Sequence, residues 1–270
     1  MRQYSTPDLR NVALLGHAHS GKTTLTSAML YAAGVTNRLL RPEDGAAITD
    51  FDEEEVARHH SLSTGIAAVE YQKRKYNLLG TPGLQPFLHD AKLCLPAADA
   101  VLLCVDGVAG IQVQTEKAWH YAAEFQLPVV FVVTKLDHER ADFGAVAAAI
   151  RERFGRRCAR VEEAEELTEM VAEEDSSLLE EYFETGTLTP EHLATGLREE
   201  ILHRQLFPVL GVSAVTGAGV KELLDFIGQS LPCPTDRQPL ETNAPPSVFV
   251  FKTLADAFSG RVTMFRVMAG

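Results

Sequence analysis

The chain has 270 residues, 46% of them hydrophobic and 23% charged, with a formal net charge of -12. That length accommodates one large domain plus a fragment of another. No apolar run approaches the roughly 18 residues of a membrane span, and the opening MRQYSTPDLR has no signal-peptide core, so a soluble, cytoplasmic protein without a membrane partner is expected. Cys94, Cys104, Cys158 and Cys233 show neither CxxC nor histidine-paired spacing, which points to buried structural thiols over metal or redox roles. The acidity is local. Between Glu162 and Glu200 fourteen Asp or Glu face the single Arg198, a charge of -13 that leaves the remainder of the chain at +1.

In chain order, NVALLG (Asn11 to Gly16) reads as a short buried strand, followed by a Gly-containing loop and a helical run, TTLTSAMLYAAG, that ends at Gly34. Arg38 to Ser63 lacks apolar periodicity and reads as a long mobile surface segment. IAAVEY and YNLLG flank the basic turn QKRK as a hairpin, and AVLLCVDG, PVVFVVTK and PVLGVSA follow as apolar strands alternating with helices. The acidic stretch predicts helices over about Glu162 to Phe183 and Pro190 to His203, with Thr189 as the N-cap of the second. The proline-rich LPCPTDRQPLETNAPP reads as a linker, and the last residues alternate like two strands around Ala255 to Gly260. Near-continuous apolar strands alternating with helices predict an α/β fold, a mostly parallel sheet covered on both faces, with ligands bound at the carboxyl ends of its strands.

The motifs fall at those ends. Gly16, His17, Ala18, His19, Ser20, Gly21, Lys22 and Thr23 match GxxxxGK[ST] between a predicted strand and a predicted helix that continues with Thr24. In that setting backbone amides and the helix N-terminus cradle phosphates, Lys22 reaches the outer ones, and Thr23 ligates Mg2+. His17 and His19 are read as spacers in this loop. Thr134-Lys135-Leu136-Asp137 ends an apolar strand: a carboxylate such as Asp137 accepts from both the ring N–H and the exocyclic amine of guanine, a pairing that adenine does not offer. Lys135 can lay its stem over the base, and Ser213-Ala214 can present a backbone amide to the guanine oxygen. This set disfavours an ATP-dependent enzyme. Asp106 is read as a strand-end turn residue and Trp119 as a packed aromatic.

With the phosphate loop, TKLD and SA in this order, the chain resembles the translational GTPases, specifically elongation factor G and elongation-factor-G-like proteins. GHAHSGKTT, TDFDEEEVARHHSLSTG in the place of the first switch, TPG, VDGVAGIQVQTEKAW, TKLD and PVLGVSA carry the resemblance over nearly the whole chain. It implies a P-loop GTPase fold in residues 1–235 with an acidic helical insert at about 162–203, a linker at 236–246, and the first strands of a truncated β-barrel second domain at 247–270. It also implies GTP or GDP and Mg2+ as ligands, the ribosome as partner, and no DNA partner. The segment between Asp137 and Glu162 is too short for the family's full inserted sheet.

Four departures bear on mechanism. Where the family reads Asp-Thr-Pro-Gly-His, this chain reads Gly80-Thr81-Pro82-Gly83-Leu84. Gly80 removes a carboxylate of the Mg2+ shell and predicts weaker metal binding, whereas Leu84 has no polar atom to position a water. Gly83 keeps its amide for the terminal phosphate. The family's metal-ligating Thr aligns with Ser61, with Ser63 and Thr64 as close competitors. Thr134 stands where Asn is usual, removing an amide that bridges the phosphate loop and the base. The expectation is a Mg2+-dependent guanine-nucleotide switch with weak intrinsic hydrolysis; the alternative is a pseudo-GTPase that binds nucleotide without useful turnover.

Overall fold

In a computed structural model of the chain, which describes residues 3–45, 47–50, 52–237, 243–256 and 260–270, the apolar runs of the sequence form the middle of one sheet. The first half comprises β1 (Leu9–Gly16), α1 (Lys22–Ala32), α2 (Glu53–Arg58), β2 (Gly65–Tyr71), β3 (Arg74–Gly80), α3 (Leu88–Leu93), β4 (Ala100–Asp106) and α4 (Val113–Glu124). Then follow β5 (Val129–Thr134), α5 (Phe143–Phe154), β6 (Cys158–Arg160), α6 (Ala164–Ala172), α7 (Ser176–Thr185), α8 (Pro190–Leu202), β7 (Phe207–Gly211) and α9 (Val220–Ser230). The short α10 (Pro234–Arg237) precedes β8 (Ser247–Asp256) and β9 (Gly260–Ala269).

The sheet runs β2-β3-β1-β4-β5-β7-β6, parallel throughout except for β2, which pairs antiparallel with β3. Side chains alternate across a strand, so strands covered on both faces must be apolar at every position. Val12, Leu14, Leu102 and Val130 meet Leu25 and Met29 of α1, Ile201 of α8 and Leu223 and Ile227 of α9 on one face. Ala13, Leu15, Leu103 and Phe131 meet Ala91 of α3, Ala118 and Ala122 of α4 and Ile150 of α5 on the other. β1 lies between β3 and β4, where the chain reverses its direction of travel across the sheet; such a point opens a crevice at the strands' carboxyl ends.

All four cysteines are buried and free. Burial pushes the thiols of Cys94, Cys104 and Cys158 up to about 12, which keeps them protonated and inert. Trp119 packs on Phe131, Phe154 and Phe207 at 5.5, 5.0 and 4.8 Å between ring centroids, a structural role.

The acidic stretch departs from expectation: the helix expected over Glu162 to Phe183 is two. α6 ends at Ala172, and Asp175 starts α7, its carboxylate accepting from the amides of Ser177 and Leu178, because a short side chain with an acceptor competes best at an N-cap. Arg157 collects this acidity, its guanidinium lying 2.6 Å from Glu174, 2.9 Å from Glu200 and 3.4 Å from Glu173. Gly196 in α8 allows close helix packing, since a Cβ there would run into Val171 of α6.

Asp236 and Arg237, placed at the start of a linker by the sequence reading, belong to α10 and hold to the main unit: Arg237 donates to the carbonyls of Ala98 and Phe125 at 3.1 and 3.0 Å. Residues 238–242 of that expected linker lie outside the described residues, as do 257–259 of the expected final turn. β8 and β9 form a separate antiparallel pair, consistent with the start of a barrel domain. Arg266 anchors the pair through a 2.7 Å bridge to fully buried Asp99.

Candidate functional site

The phosphate loop follows β1 and enters α1 through two glycines in conformations that side chains resist. Gly16 has φ of 142°, and a Cβ there would strike the Cys104 carbonyl oxygen; Gly21 is left-handed at φ 78° and is the N-cap of α1. Ser20 is buried with its hydroxyl unpartnered. Lys22 folds back, its ammonium donating to the carbonyl oxygens of His17 at 2.7 Å and Gly16 at 3.2 Å. Its burial pushes the ammonium down to about 8, mainly by desolvation, with Cys104 and Asp50 opposing. Beside the loop lies a cleft of about 210 Å³ whose walls include Ala18, His19, Gly21, Lys22, Thr23, Thr24, Ser61, Gly83, Leu84 and Lys135. Of the other phosphate-loop positions singled out in the sequence, Gly16 and His17 form the entry to the loop and Ser20 lies beneath it.

Both segments expected to switch meet this loop. After β3, Thr81 donates its hydroxyl to the Leu14 carbonyl at 2.6 Å, which sets the turn that carries Gly83 over the loop. A Cβ on Gly83 would lie 2.5 Å from the Lys22 ammonium and 2.7 Å from the Ala18 amide nitrogen, so only glycine allows this approach. Leu84 follows, with its apolar side chain on the wall of the cleft. Gln85 points elsewhere, accepting from Lys117 of α4 at 2.6 Å.

The first-switch segment contains a helix that its composition does not suggest. Asp52 and Glu55 form a capping box that starts α2, and buried Glu55 accepts from the amides of Leu62 and Ser63 at 2.8 and 3.0 Å. This holds Ser61 with its Oγ 3.3 Å from Thr23 Oγ1. The competing hydroxyls are engaged elsewhere: Thr64 donates to Asp90 at 2.7 Å, and Ser63 meets Lys252 of β8 at 3.1 Å. The sequence reading missed Asp50, which is buried and accepts from Ser61 Oγ at 2.7 Å. Desolvation raises its carboxyl above the ordinary range, against the hydrogen bonds from Ser61 and Thr23. Thr23, Ser61 and Asp50 are a set of hard oxygens, which suits Mg2+ completed by phosphate oxygens and water.

At the far end of the cleft, Asp137 accepts from Ser213 Oγ at 2.7 Å, and that oxygen in turn accepts from the Thr216 amide at 3.1 Å. Ala214 is buried beside it. Lys135, left-handed at φ 59°, projects its ammonium to Asp106 at 2.7 Å. Asp106 also accepts from the amides of Val108 and Ala109, as expected of a strand-end turn. Its carboxyl is lowered by Lys135 and the two amides, which together overcome the larger single effect of burial. Thr134 bridges to the phosphate loop after all: its hydroxyl lies 2.9 Å from the Ser20 carbonyl and 3.2 Å from that of Val105, so the shared donor hydrogen ties β5 to both β4 and the loop.

A glycine-bent phosphate loop at the start of a helix, two segments converging on it, and a carboxylate held by Ser213 at the end of the next-but-one strand define a P-loop GTPase domain. The chain belongs to the family described as Elongation factor Tu GTP binding domain, which matches residues 7–233. It is 30% identical, over 97% of its own length, to the Elongation factor G-like proteins of two Mycobacterium tuberculosis strains, CDC 1551 / Oshkosh and ATCC 25618 / H37Rv. A crystal structure of a Thermus thermophilus protein superposes with a TM-score of 0.88 at 34% identity, over 97% of this chain and 45% of that one. The chain spans 44% of the length of these curated relatives. Membership of this translation-factor-like GTPase family implies guanine-nucleotide binding. Among the described residues, no helix is long and apolar enough to cross a membrane.

Proposed function

We propose that this chain is a Mg2+-dependent guanine-nucleotide switch of the elongation-factor-G type that acts on the ribosome in the cytoplasm, with weak intrinsic hydrolysis. The observation that carries the reading is the convergence of Ser61 and Gly83, from two separate segments, on the phosphate loop. A ligand that bridges them would hold both, and its loss would release both. Asp137, with Ser213 and Ala214, reads the base; Lys135 covers it; the loop from Gly16 to Thr24 takes the phosphates. Bound Mg2+ would neutralise phosphate charge, held through Thr23 and Ser61.

Hydrolysis requires a group that orients water on the terminal phosphate. Leu84 cannot accept or donate a hydrogen bond, so a partner or a different side chain must supply that group. The same residue favours a second reading, a nucleotide-binding module without turnover. A titration with fluorescent GDP and GTP, with and without Mg2+ and with ATP as competitor, tests the first step; single-turnover hydrolysis with and without bacterial ribosomes tests the second. Guanine-selective binding with ribosome-stimulated phosphate release supports the switch. Binding with no release under either condition supports the second reading, and absence of guanine selectivity sinks both. The arrangement of residues 1–235, the linker and the strands from 247 as parts of a longer multidomain factor belongs to the same proposal.

A further inference from the structure

Most buried carboxylates of this chain have an evident counterpart: Asp99 has Arg266, Glu200 has Arg157, Asp106 has Lys135, and Glu55 has two backbone amides. Asp50 is as deeply buried, at 5% exposure, yet what meets it are the hydroxyls of Ser61 and Thr23, while the nearby Lys22 ammonium, which acts on it through space, donates to the carbonyls of Gly16 and His17. Taking a carboxylate out of water is costly unless a cation balances it. The two hydroxyls in question are those that the phosphate cleft offers to a divalent ion.

The way Asp50 reaches the cleft involves the residue at which the chain lacks its expected carboxylate. Gly65 of β2 and Gly80 of β3 are direct partners across the antiparallel pair. Together they leave a notch, and Thr49, 3% exposed, fills it. A Cβ on Gly65 would lie 2.6 Å from Thr49 Cβ and 2.8 Å from its Cα; a Cβ on Gly80 would lie 3.5 Å from Thr49 Cγ2. Gly65, where any Cβ would collide with Thr49, thus seats the residue that delivers Asp50, and Gly80, which has no carboxylate to offer, lies against the same seat.

We propose that Asp50, carried on the seat made by Gly65, Gly80 and Thr49, is the carboxylate of the Mg2+ site in this chain, standing in from the first-switch segment for the acid absent at position 80. The proposal rests on the nucleotide-switch reading. Its consequence is that metal binding and ordering of the first switch are one event, because the acid and Ser61 both belong to that segment.

The test is the Mg2+ concentration that half-maximally slows release of fluorescent GDP, measured for the wild-type chain, Asp50→Asn, Gly80→Asp and, as a control from the same segment, Glu54→Gln. The expected result for Asp50→Asn is a midpoint raised by about tenfold or more, the scale on which supporting groups of metal sites act, with GDP affinity in EDTA unchanged. Glu54→Gln should match wild type. Gly80→Asp should fail to lower the midpoint, because Asp50 already supplies the carboxylate. A wild-type midpoint in Asp50→Asn, or loss of GDP affinity in EDTA, would overturn the proposal, and so would a lowered midpoint in Gly80→Asp. Failure of the wild-type chain to bind fluorescent GDP at all would instead show that the underlying nucleotide reading is wrong.

Discussion

The two ends of the nucleotide cleft have diverged to different degrees. At the base end every polar group has a partner that pre-positions it: Ser213 holds Asp137, Asp106 holds Lys135, and Thr134 ties β5 to the phosphate loop. At the phosphate end the loop and its lysine are intact, but the strand end and turn that follow β3 carry Gly80 and Leu84 in place of acidic and basic side chains. In the proposed switch, base recognition would use fixed groups on strand ends, whereas metal and water positioning would use groups on the two switch segments. The former cannot be exchanged without losing the ligand; the latter can be replaced from another segment or another molecule.

That contrast can be broken or sharpened by experiment. The largest effect is expected at the base end: Asp137→Ala removes two charge-assisted hydrogen bonds and should cost about 3 kcal/mol, roughly a 100-fold loss of GDP affinity, and erase preference over ADP. Retained selectivity in a competition titration would show that the base end is not what reads guanine. Leu84→His should leave GDP affinity within about twofold and raise single-turnover hydrolysis by roughly a hundredfold, the lower end of what one positioned proton-transfer group contributes. An unchanged rate would mean that the apolar residue is not what limits turnover.

Lys22 supplies a pH-dependent comparison. Its ammonium, pushed down to about 8 in the empty cleft, must be charged to pair with phosphate, so binding above that pH takes up a proton and affinity falls by up to about tenfold per pH unit. Calorimetry at pH 8.5 in two buffers of different ionisation enthalpy reads this uptake directly; equal heats would refute it. For the empty protein the linkage has the opposite sense. Because the folded value lies below the ordinary 10.5, the unfolded chain binds more protons between about pH 8 and 10.5, and this group's contribution to stability rises with pH across that window. The smallest effect is expected from Thr134→Val, which deletes the hydroxyl shared by Ser20 and Val105: about 1 kcal/mol, a several-fold loss of nucleotide affinity with guanine selectivity kept.

The phosphate loop and TKLD could be read in advance because each is a contiguous run at a strand end, where local backbone geometry alone sets the chemistry. The same holds for β1, β4 and β5, whose unbroken apolar runs admit no other place than the middle of a covered sheet. The first-switch segment was harder. Its helix α2 is only six residues long and depends on the pair Asp52 and Glu55, a signal too short to stand out from an acidic stretch. The break at Asp175 has the same origin: one capping side chain outweighs the helix propensity of the residues around it.

By itself the sequence determined the class of fold, the order of the strands' motifs and the family, since these follow from hydrophobic period and from short motifs whose groups are neighbours along the chain. Only the tertiary structure decided which acid faces Thr23, which hydroxyl of Ser61, Ser63 and Thr64 meets it, and that Thr134 still bridges to the loop. Those contacts join residues far apart in sequence. They depend on which side chain fills a notch such as that between Gly65 and Gly80, and packing of that kind leaves no periodic mark on the chain.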